Sequence, residues 1–330
     1  MDQRLKEQIR EKLPGLFMHL RFLKSLLSLS RNNPLVYNCR DYTQNDLVLN
    51  LLKVIVWPYC FVKYLVMSLL PKHNKGKGLA FVLIAKNEAL YIKEWLDFHI
   101  KQGVSHFIIF DNESTDNFHE MVKPYVKQGL VTYRLIRGKR RQSDAYNMAL
   151  HDYGSKFRYM GFIDTDEFVF VRNSCRGLYE FVDEFMTSHP NAAGLGVHWL
   201  IFGSSGHITR PEGGVLRNFT KCASHDFEVN YYVKTIIDTS RVAVFGIHVP
   251  AVCRAGYYPM DETGVLIRSG ITQEVHYNHI RINHYFCKSL DEYKIKRSRG
   301  RSDIFDIRSM KEFDIHDRNE CTDIEILSHM

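Results

Sequence analysis

The chain has 330 residues, 44 Lys and Arg against 37 Asp and Glu, and 45% hydrophobic residues. This composition excludes collagen-like, disordered and disulfide-stapled proteins, which need more Gly and Pro, fewer apolar residues or denser cysteine. The seven cysteines are scattered and include no CxxC pair, which argues against a structural zinc site and favours a reducing compartment.

Net charge divides the chain into two parts. Residues 1–78 carry 13 basic and 5 acidic side chains, whereas residues 79–330 carry 31 basic and 32 acidic ones. A nucleic-acid-binding protein more often has a basic main domain, so no nucleic-acid partner is expected. The sequence predicts a basic, apolar helical appendage at 1–78 and a main domain at 79–330.

The appendage contains two apolar stretches. Leu16–Leu29 has the mixed pattern of an amphipathic helix, and Leu49–Leu70 approaches the length of a membrane span. Lys53, Pro58 and Lys63 interrupt the second stretch, and central lysines are unfavourable inside a bilayer. Two alternatives stay open for the appendage: peripheral contact with a membrane surface, or packing on protein.

Strands and helices alternate after a linker at Pro71–Gly78. Short apolar runs predict buried strands, and apolar residues near helical spacing predict helices between them. This alternation predicts an α/β fold with a parallel sheet, whose ligands bind beyond the carboxyl ends of the strands. The predicted strands are Leu79–Ala85, His106–Phe110, Val131–Ile136 and Tyr159–Ile163, and the predicted helices are Asn87–Gln102, Phe118–Gln128 and Gln142–Tyr153.

The strongest local signal is the acidic turn in Gly161–Phe168, GFIDTDEF. Asp164 and Asp166 directly follow one apolar strand and precede another apolar run. Two carboxylates one residue apart can converge on Mg²⁺ or Mn²⁺, which prefer oxygen ligands. The alternative, which is the commoner interpretation of two such aspartates, is a solvated acidic turn; the apolar residues on both sides favour a metal site more than a bare DxD motif does.

A second polar turn follows the second predicted strand. Asp111 lies at the end of that strand, where its carboxylate can accept hydrogen bonds from a ribose or a base. Ser114, Thr115 and Asp116 are residue types that commonly cap helices, and capping is their expected role. Asp111 is therefore the candidate nucleotide ligand of this turn.

Several motifs in this order resemble glycosyltransferase family 92 and related family-2-like enzymes. Residues 81–116 carry the first motif, followed by Gln142 with Tyr146 and Asn147, and then by DTDEF. The later motifs are Trp199 with 202–207 (W-x-x-FGSSGH), Lys234 before His248, and 283–290 (HY-x-x-KS) followed by Gly300. The resemblance covers about 79–325.

The resemblance implies a GT-A fold, in which the DxD motif holds Mn²⁺ or Mg²⁺ beneath the diphosphate of a nucleotide sugar. Asp164 and Asp166 would hold the metal, with His284 as a further ligand. The residues implied in donor binding are Ala85, Asn87, Glu88 and Asp111 at the nucleoside, Gln142 and Asn147 at the ribose or diphosphate, and Lys234 and Lys288 at the leaving diphosphate.

The family resemblance also implies inversion at the anomeric carbon, which requires a general base at the acceptor hydroxyl. Asp226 is the favoured candidate, and Glu228, Glu212 and His207 are alternatives. The segment GGVLRNF lacks the acidic residue expected before its Arg217, so acceptor contacts there are expected to differ. The basic run KIKRSRGR at 294–301 is either a solvated face or an approach to a diphosphate or an anionic acceptor.

These observations favour a metal-dependent, inverting glycosyltransferase that moves a hexose from a UDP-sugar to a hydroxyl of a glycan or glycolipid, such as a lipopolysaccharide core. The appendage favours a membrane-associated acceptor and a cytoplasmic location at the inner face of a bacterial inner membrane. Two alternatives remain. A sugar nucleotidyltransferase would more often have a Gly-rich phosphate loop after the first strand, and a non-catalytic glycan-binding module would more often have lost the two aspartates.

Overall fold

The computed structural model describes residues 76–174, 176–299 and 308–330, together with a few single positions between 45 and 70. The predicted amphipathic helix at Leu16–Leu29 and most of the apolar stretch at Leu49–Leu70 and of the linker lie outside the described residues. Among the helices that are described, none combines the length and the hydropathy needed to cross a membrane.

The elements of the main domain follow in chain order. The helices are α1 (Ile92–Lys101), α2 (Phe118–Lys127), α3 (Gln142–Tyr153), α4 (Leu178–Ser188), α5 (Val215–Asn218), α6 (Leu290–Ser298) and α7 (Met310–His316). The strands are β1 (Leu79–Ala85), β2 (His106–Asp111), β3 (Val131–Leu135), β4 (Tyr159–Phe162), β5 (Glu167–Val171), β6 (Ala192–Ile201), β7 (Lys221–Cys222), β8 (Val233–Asp238), β9 (Val242–Phe245), β10 (Pro250–Cys253), β11 (Tyr258–Asp261), β12 (Ile280–His284) and β13 (Cys321–Thr322).

One mixed sheet of nine strands forms the centre of the described domain. Its order is β3-β2-β1-β4-β8-β6-β12-β5, and β11 pairs with β6 beside that path. β3, β2, β1 and β4 are parallel, as the alternating sequence predicts. β8 runs antiparallel to both β4 and β6, and β5 runs antiparallel to β12. This architecture confirms the predicted α/β class with a GT-A-like sheet.

The strand directions bring distant segments of the chain to one edge of the sheet, here called the site edge. β1, β2, β4, β6 and β12 end at this edge, and the antiparallel strands β5 and β8 begin there. The turn at 163–166 between β4 and β5, the start of β8 and the end of β12 therefore lie together, as expected for a ligand site in an α/β sheet.

The core lies on both faces of the sheet. Phe81 and Leu83 of β1 belong to the cluster that includes Trp95 of α1, whereas Val82 and Ile84 belong to the cluster around α3. All seven residues of β1 are buried. Burial on both faces explains why this strand is a continuous apolar run rather than an alternating one.

The first predicted helix begins later than expected, at Ile92 rather than Asn87. Asn87 has a left-handed backbone conformation (φ 55°), which a helix does not allow. Its N–H donates to Ser114 Oγ (3.0 Å), and its Oδ1 accepts from the Thr115 N–H (2.7 Å). This contact between the ends of β1 and β2 outweighs the local helical pattern. The other six predicted elements agree with the structure to within one residue at each end.

Candidate active site

Asp164 and Asp166 lie in the turn that connects β4 to β5. The Asp164 N–H donates to Glu167 Oε2 (2.8 Å), and the Tyr285 N–H donates to the Asp166 carbonyl (2.8 Å). Because Glu167 begins β5 and Tyr285 directly follows β12, the sheet itself holds the turn. The two carboxylates therefore have defined positions at the site edge.

Asp164 accepts hydrogen bonds from three side chains. Its Oδ2 lies 2.8 Å from Lys234 Nζ, and its Oδ1 accepts from Gln142 Nε2 (3.1 Å) and the Tyr146 hydroxyl (3.0 Å). Burial alone would raise the pKa of the Asp164 carboxyl, but the Lys234 ammonium outweighs burial and holds that pKa below its usual range. Asp164 is therefore an oriented anion.

Lys234 is a buried counter-ion for this turn. Its side chain is 1% exposed, and Nζ lies 3.6 Å from Glu167 Oε2 as well as near Asp164. Burial opposes its charge, but Asp164 and Glu167 hold the pKa of Lys234 well above its usual range. Burial raises the pKa of the Glu167 carboxyl to about 8, so Glu167 adds little negative charge at neutral pH.

We expect Lys234→Met to lower the free energy of unfolding by about 3 kcal/mol, the lower end of the range for a buried pair, because it leaves the Asp164 carboxylate, whose side chain is 33% exposed, without its cation. Urea denaturation at pH 7.5 measures the change. Lys221→Met is the matched control, since Lys221 is exposed and bonds Thr322, and we expect it to change stability by less than about 0.5 kcal/mol. Equal stability of Lys234→Met and the unchanged protein would contradict the counter-ion role.

Asp166 contacts a different pair of side chains. Its Oδ2 lies 2.6 Å from Lys296 Nζ of α6 and 3.7 Å from His284 Nε2 at the end of β12. Burial alone would raise the pKa of the Asp166 carboxyl, but the Lys296 ammonium outweighs burial and holds that pKa well below its usual range. Both aspartates are thus anionic, and each has its own lysine.

The side chains around Asp166 fit a divalent cation. Among the described residues, no three His, Cys, Asp or Glu side chains already stand in a metal-binding arrangement. His284 nevertheless faces Asp166 beyond hydrogen-bond distance, and its buried Nδ1 has no partner in the described structure. Burial lowers the pKa of His284, which favours the neutral imidazole that binds metals. Carboxylate oxygens suit Mg²⁺ and Mn²⁺, so Asp164, Asp166 and His284 would hold such an ion.

A cleft of about 210 Å³ opens at the site edge. Its lining combines apolar and polar residues at the end of β1, an acidic centre at the β4–β5 turn, aromatic residues, and a basic side formed by Lys296 of α6, by Arg299 at the end of that helix and by Arg308. Its lining residues are Ile84, Ala85, Lys86, Glu88, Asn112, Gln142, Asp164, Thr165, Asp166, Trp199, Ile247, His248, His284, Phe286, Lys296, Arg299 and Arg308. This combination suits an anionic ligand with an apolar or ring-shaped part.

The basic side of the cleft holds residues to which sequence reasoning gave no individual role. Arg299 Nη1 donates to the carbonyls of Lys86 and Asn87 (2.6 Å each), and Nη2 lies 2.8 Å from Glu88. These contacts dock the end of α6 onto the end of β1. The signal in the sequence was the basic run at 294–301, in which Lys296 and Arg299 stand three residues apart on one helical face.

The structure brings several of the predicted donor-binding residues together. Ala85, Glu88 and Gln142 line the cleft. Lys288 lies 3.8 Å from Glu88, and its ammonium stands 4.4 Å over the Tyr91 ring. Asn87 lies in the turn between the lining residues Lys86 and Glu88.

Asp111 and Asn147 have other partners in the structure. Asp111 is buried; its Oδ1 accepts from the Ser114 N–H (2.8 Å), and its Oδ2 accepts from the Tyr133 hydroxyl. The neighbouring Asn112 lines the cleft instead. Asn147 exchanges two hydrogen bonds of 2.9 Å with the backbone of Phe245 and so ties α3 to β9. Donor binding by Asp111 and Asn147 stays a prediction.

The predicted bases lie apart from the cleft lining. Asp226 is exposed, as are Glu212 and Glu228, and His207 Nε2 lies 3.2 Å from the Asn218 carbonyl. None of these residues lines the cleft in the described part of the chain, whereas His248 does. Burial lowers the pKa of His248 to about 4, so its imidazole is neutral near pH 7.

The FGSSGH segment anchors the C-terminal part of the chain. The Ser204 N–H donates to Asp317 Oδ1 (2.6 Å), and the Ser205 N–H donates to Asn319 Oδ1 (2.8 Å). A Cβ at Gly203 would lie 2.3 Å from the Arg318 carbonyl oxygen, so this close approach requires glycine. In this structure the motif supports the fold beside the cleft rather than lining it.

Comparison with known proteins places these features in context. The sequence model of glycosyltransferase family 92 matches residues 82–316 of this chain. A glycosyltransferase family 92 protein of Oryza sativa subsp. japonica is 25% identical over 158 residues, which are 46% of this chain and 26% of that protein. A galactan beta-1,4-galactosyltransferase of Arabidopsis thaliana is 33% identical over 90 residues, which are 24% of this chain and 17% of that protein.

Among solved structures, TarS of S. aureus in complex with UDP is 16% identical, with a TM-score of 0.34 over 49% of this chain and 47% of that chain. Glucosyl-3-phosphoglycerate synthase from Mycobacterium tuberculosis, in complex with Mn²⁺ and UDP, is 20% identical, with a TM-score of 0.25 over 38% of this chain and 44% of that chain. The chain spans about a quarter or less of the length of the two curated relatives named above.

Proposed function

Because the chain belongs to glycosyltransferase family 92, we propose that it transfers a hexose from a UDP-sugar to a hydroxyl of a glycan or glycolipid, with inversion and with a divalent cation. The observation that carries this proposal is the convergence of Asp164, Asp166 and His284 in a cleft that also reaches the end of β1. That arrangement can hold a cation and a nucleotide side by side at the site edge.

In this proposal, each wall of the cleft has a task. Ala85, Glu88 and Asn112 bind the nucleoside, and Gln142 orients Asp164. Asp164, Asp166 and His284 would hold Mn²⁺ or Mg²⁺, which when bound neutralises charge on the leaving diphosphate. Lys234 keeps Asp164 ionised. The basic residues at α6 line the same cleft and would face the negative charge of the leaving diphosphate.

The acceptor hydroxyl must also lose a proton during the transfer. Asp226 and His207 are the sequence-based candidates for this base, and His248 joins them because it lines the cleft as a neutral imidazole. Trp199 stacks on Tyr232 with ring centroids 5.3 Å apart and forms a wall of the same cleft. An aromatic wall of this kind suits the apolar face of a sugar ring.

A donor and acceptor screen of the full chain tests the function. UDP-galactose, UDP-glucose and UDP-N-acetylglucosamine are each incubated with Mn²⁺ or with EDTA, and UDP release is measured. The acceptor arms are a β-1,4-galactan oligosaccharide, suggested by the named relative, and a lipopolysaccharide core oligosaccharide. We expect Mn²⁺-dependent UDP release from one donor, stimulated by one acceptor class. A folded protein that binds no UDP-sugar would refute the proposal, and binding of an acceptor glycan without turnover would indicate a binding module.

We also propose that residues 1–78 hold the protein at the cytoplasmic face of a bacterial inner membrane, since this segment carries the basic surplus of the chain. We expect the full chain to sediment with vesicles that contain anionic lipids, and expect 0.5 M NaCl to release most of it. A fragment of residues 79–330 is expected to stay in the supernatant. Equal sedimentation of both chains would contradict this role of the appendage.

A further inference from the structure

Lys296 contacts the Asp166 oxygen that a metal ion held between Asp166 and His284 would use. Its Nζ lies 2.6 Å from Asp166 Oδ2 and donates to the Phe286 carbonyl at 2.8 Å. The same Oδ2 faces His284 Nε2 at 3.7 Å. The ammonium therefore contacts the oxygen of Asp166 that faces His284, and a divalent cation bound between this oxygen and His284 would have to displace it.

The two lysines of the acidic turn differ in how they are held. Lys234 is on a sheet strand, is 1% exposed and contacts both Asp164 and Glu167, so it stays with the turn. Lys296 is on α6, its side chain is 16% exposed, and its ammonium nitrogen lies 4.2 Å from the centroid of the Phe286 ring. Lys296 thus has both access to the cleft and a flexible four-carbon stem that can reach a new partner.

Displacing Lys296 without giving it another anion is unfavourable. The ammonium is largely buried in a cleft whose lining also includes Arg299 and Arg308. A cation that binds alone would leave this ammonium without its carboxylate and close to further positive charge. A diphosphate that enters the cleft supplies the missing anion and accepts charge-assisted hydrogen bonds from Lys296.

We propose that Lys296 competes with the divalent cation for Asp166, so that the cation binds tightly only together with a nucleoside diphosphate. This inference rests on the proposed function and identifies Lys296 as a positioning residue that passes from Asp166 to the diphosphate. By linkage, UDP strengthens Mn²⁺ binding and Mn²⁺ strengthens UDP binding by the same factor.

The test measures Mn²⁺ affinity directly, by calorimetry and by the electron paramagnetic resonance signal of free Mn²⁺, with and without UDP. Lys296→Met keeps an unbranched side chain of similar length but removes the charge. Lys294→Met is the matched control, since Lys294 is exposed on the same helix and pairs with Asp291 (2.9 Å). Thermal melting of all three full-length proteins establishes that they are folded.

We expect Lys296→Met to tighten Mn²⁺ binding in the absence of UDP by about tenfold and Lys294→Met to leave it unchanged. We also expect UDP to strengthen Mn²⁺ binding less in Lys296→Met than in the unchanged protein. Unchanged or weaker Mn²⁺ binding by Lys296→Met, or no Mn²⁺ binding by either protein, would overturn the inference. Failure of the proposed function gives a different result, because the unchanged protein would then bind no UDP even when Mn²⁺ is present.

Discussion

Asp166→Asn is expected to lower kcat/KM for sugar transfer by about 1000-fold or more. The substitution keeps the shape of the side chain but removes the charge that would hold a cation between Asp166 and His284. It also removes the anionic partner of Lys296. A loss of this size corresponds to about 4 kcal/mol of transition-state stabilisation, as is common when an electrostatic group aimed at developing charge is removed.

Steady-state UDP release with saturating Mn²⁺ measures this effect, and thermal melting establishes that the variant is folded. Asp314→Asn is the control, because Asp314 is exposed on α7 and does not line the cleft. We expect the control to keep its kcat/KM. An Asp166→Asn variant with more than a tenth of the original kcat/KM would show that the second aspartate is not part of the catalytic centre.

Mild acid is expected to destabilise the protein strongly. Burial lowers the pKa of His99 to about 3 and of His198 to about 4. His99 shows why: its Nδ1 contacts the Trp95 carbonyl (2.9 Å) and its Nε2 accepts from the Val169 N–H (3.1 Å), so the fold requires the neutral ring. Between pH 6.5 and the lowered folded-state pKa, such a histidine is protonated in the unfolded chain but not in the folded one. The free energy of unfolding therefore falls as the pH falls through this range.

The expected loss has a definite size. Each histidine of this kind removes up to about 1.4 kcal/mol per pH unit, so His99 and His198 together account for about 5 kcal/mol between pH 6.5 and 4.5. Burial also lowers the pKa of His248 and His316 to about 4, which adds to the loss. Glu167 acts in the opposite sense, because its raised pKa makes the folded state take up a proton below about pH 8.

Urea denaturation at pH 7.5, 6.5, 5.5 and 4.5 measures the pH dependence. His198→Gln is expected to reduce the slope below pH 6.5 by up to about 1.4 kcal/mol per pH unit, since it removes one titration. His151→Gln is the control, because the His151 side chain is 75% exposed. A free energy of unfolding that stays constant from pH 6.5 to 4.5 would contradict the requirement for neutral buried histidines.

Local patterns were sufficient for much of the fold. The bounds of β1 and of α3 agree with the residues predicted from apolar runs and helical spacing. These signals are reliable because burial of a strand on both faces requires a continuous apolar run, and burial of one helix face requires apolar residues at helical spacing, and both patterns can be read from neighbouring residues. The predicted start of α1 was wrong because the conformation of Asn87 is fixed by hydrogen bonds with Ser114 and Thr115, which lie 27 and 28 residues away in the chain.

The sequence by itself determined which chemistry the molecule presents: an acidic turn directly after a buried strand, a basic run near the C-terminus and a set of motifs in family order. Only the tertiary structure decided the pairing. It placed Lys234 on Asp164 across 70 residues and Lys296 on Asp166 across 130 residues. Such pairs produce no pattern in the sequence, because the partners lie far apart in the chain and meet only when the strands and helices pack together. Competition between charges at the turn is therefore a property of the fold.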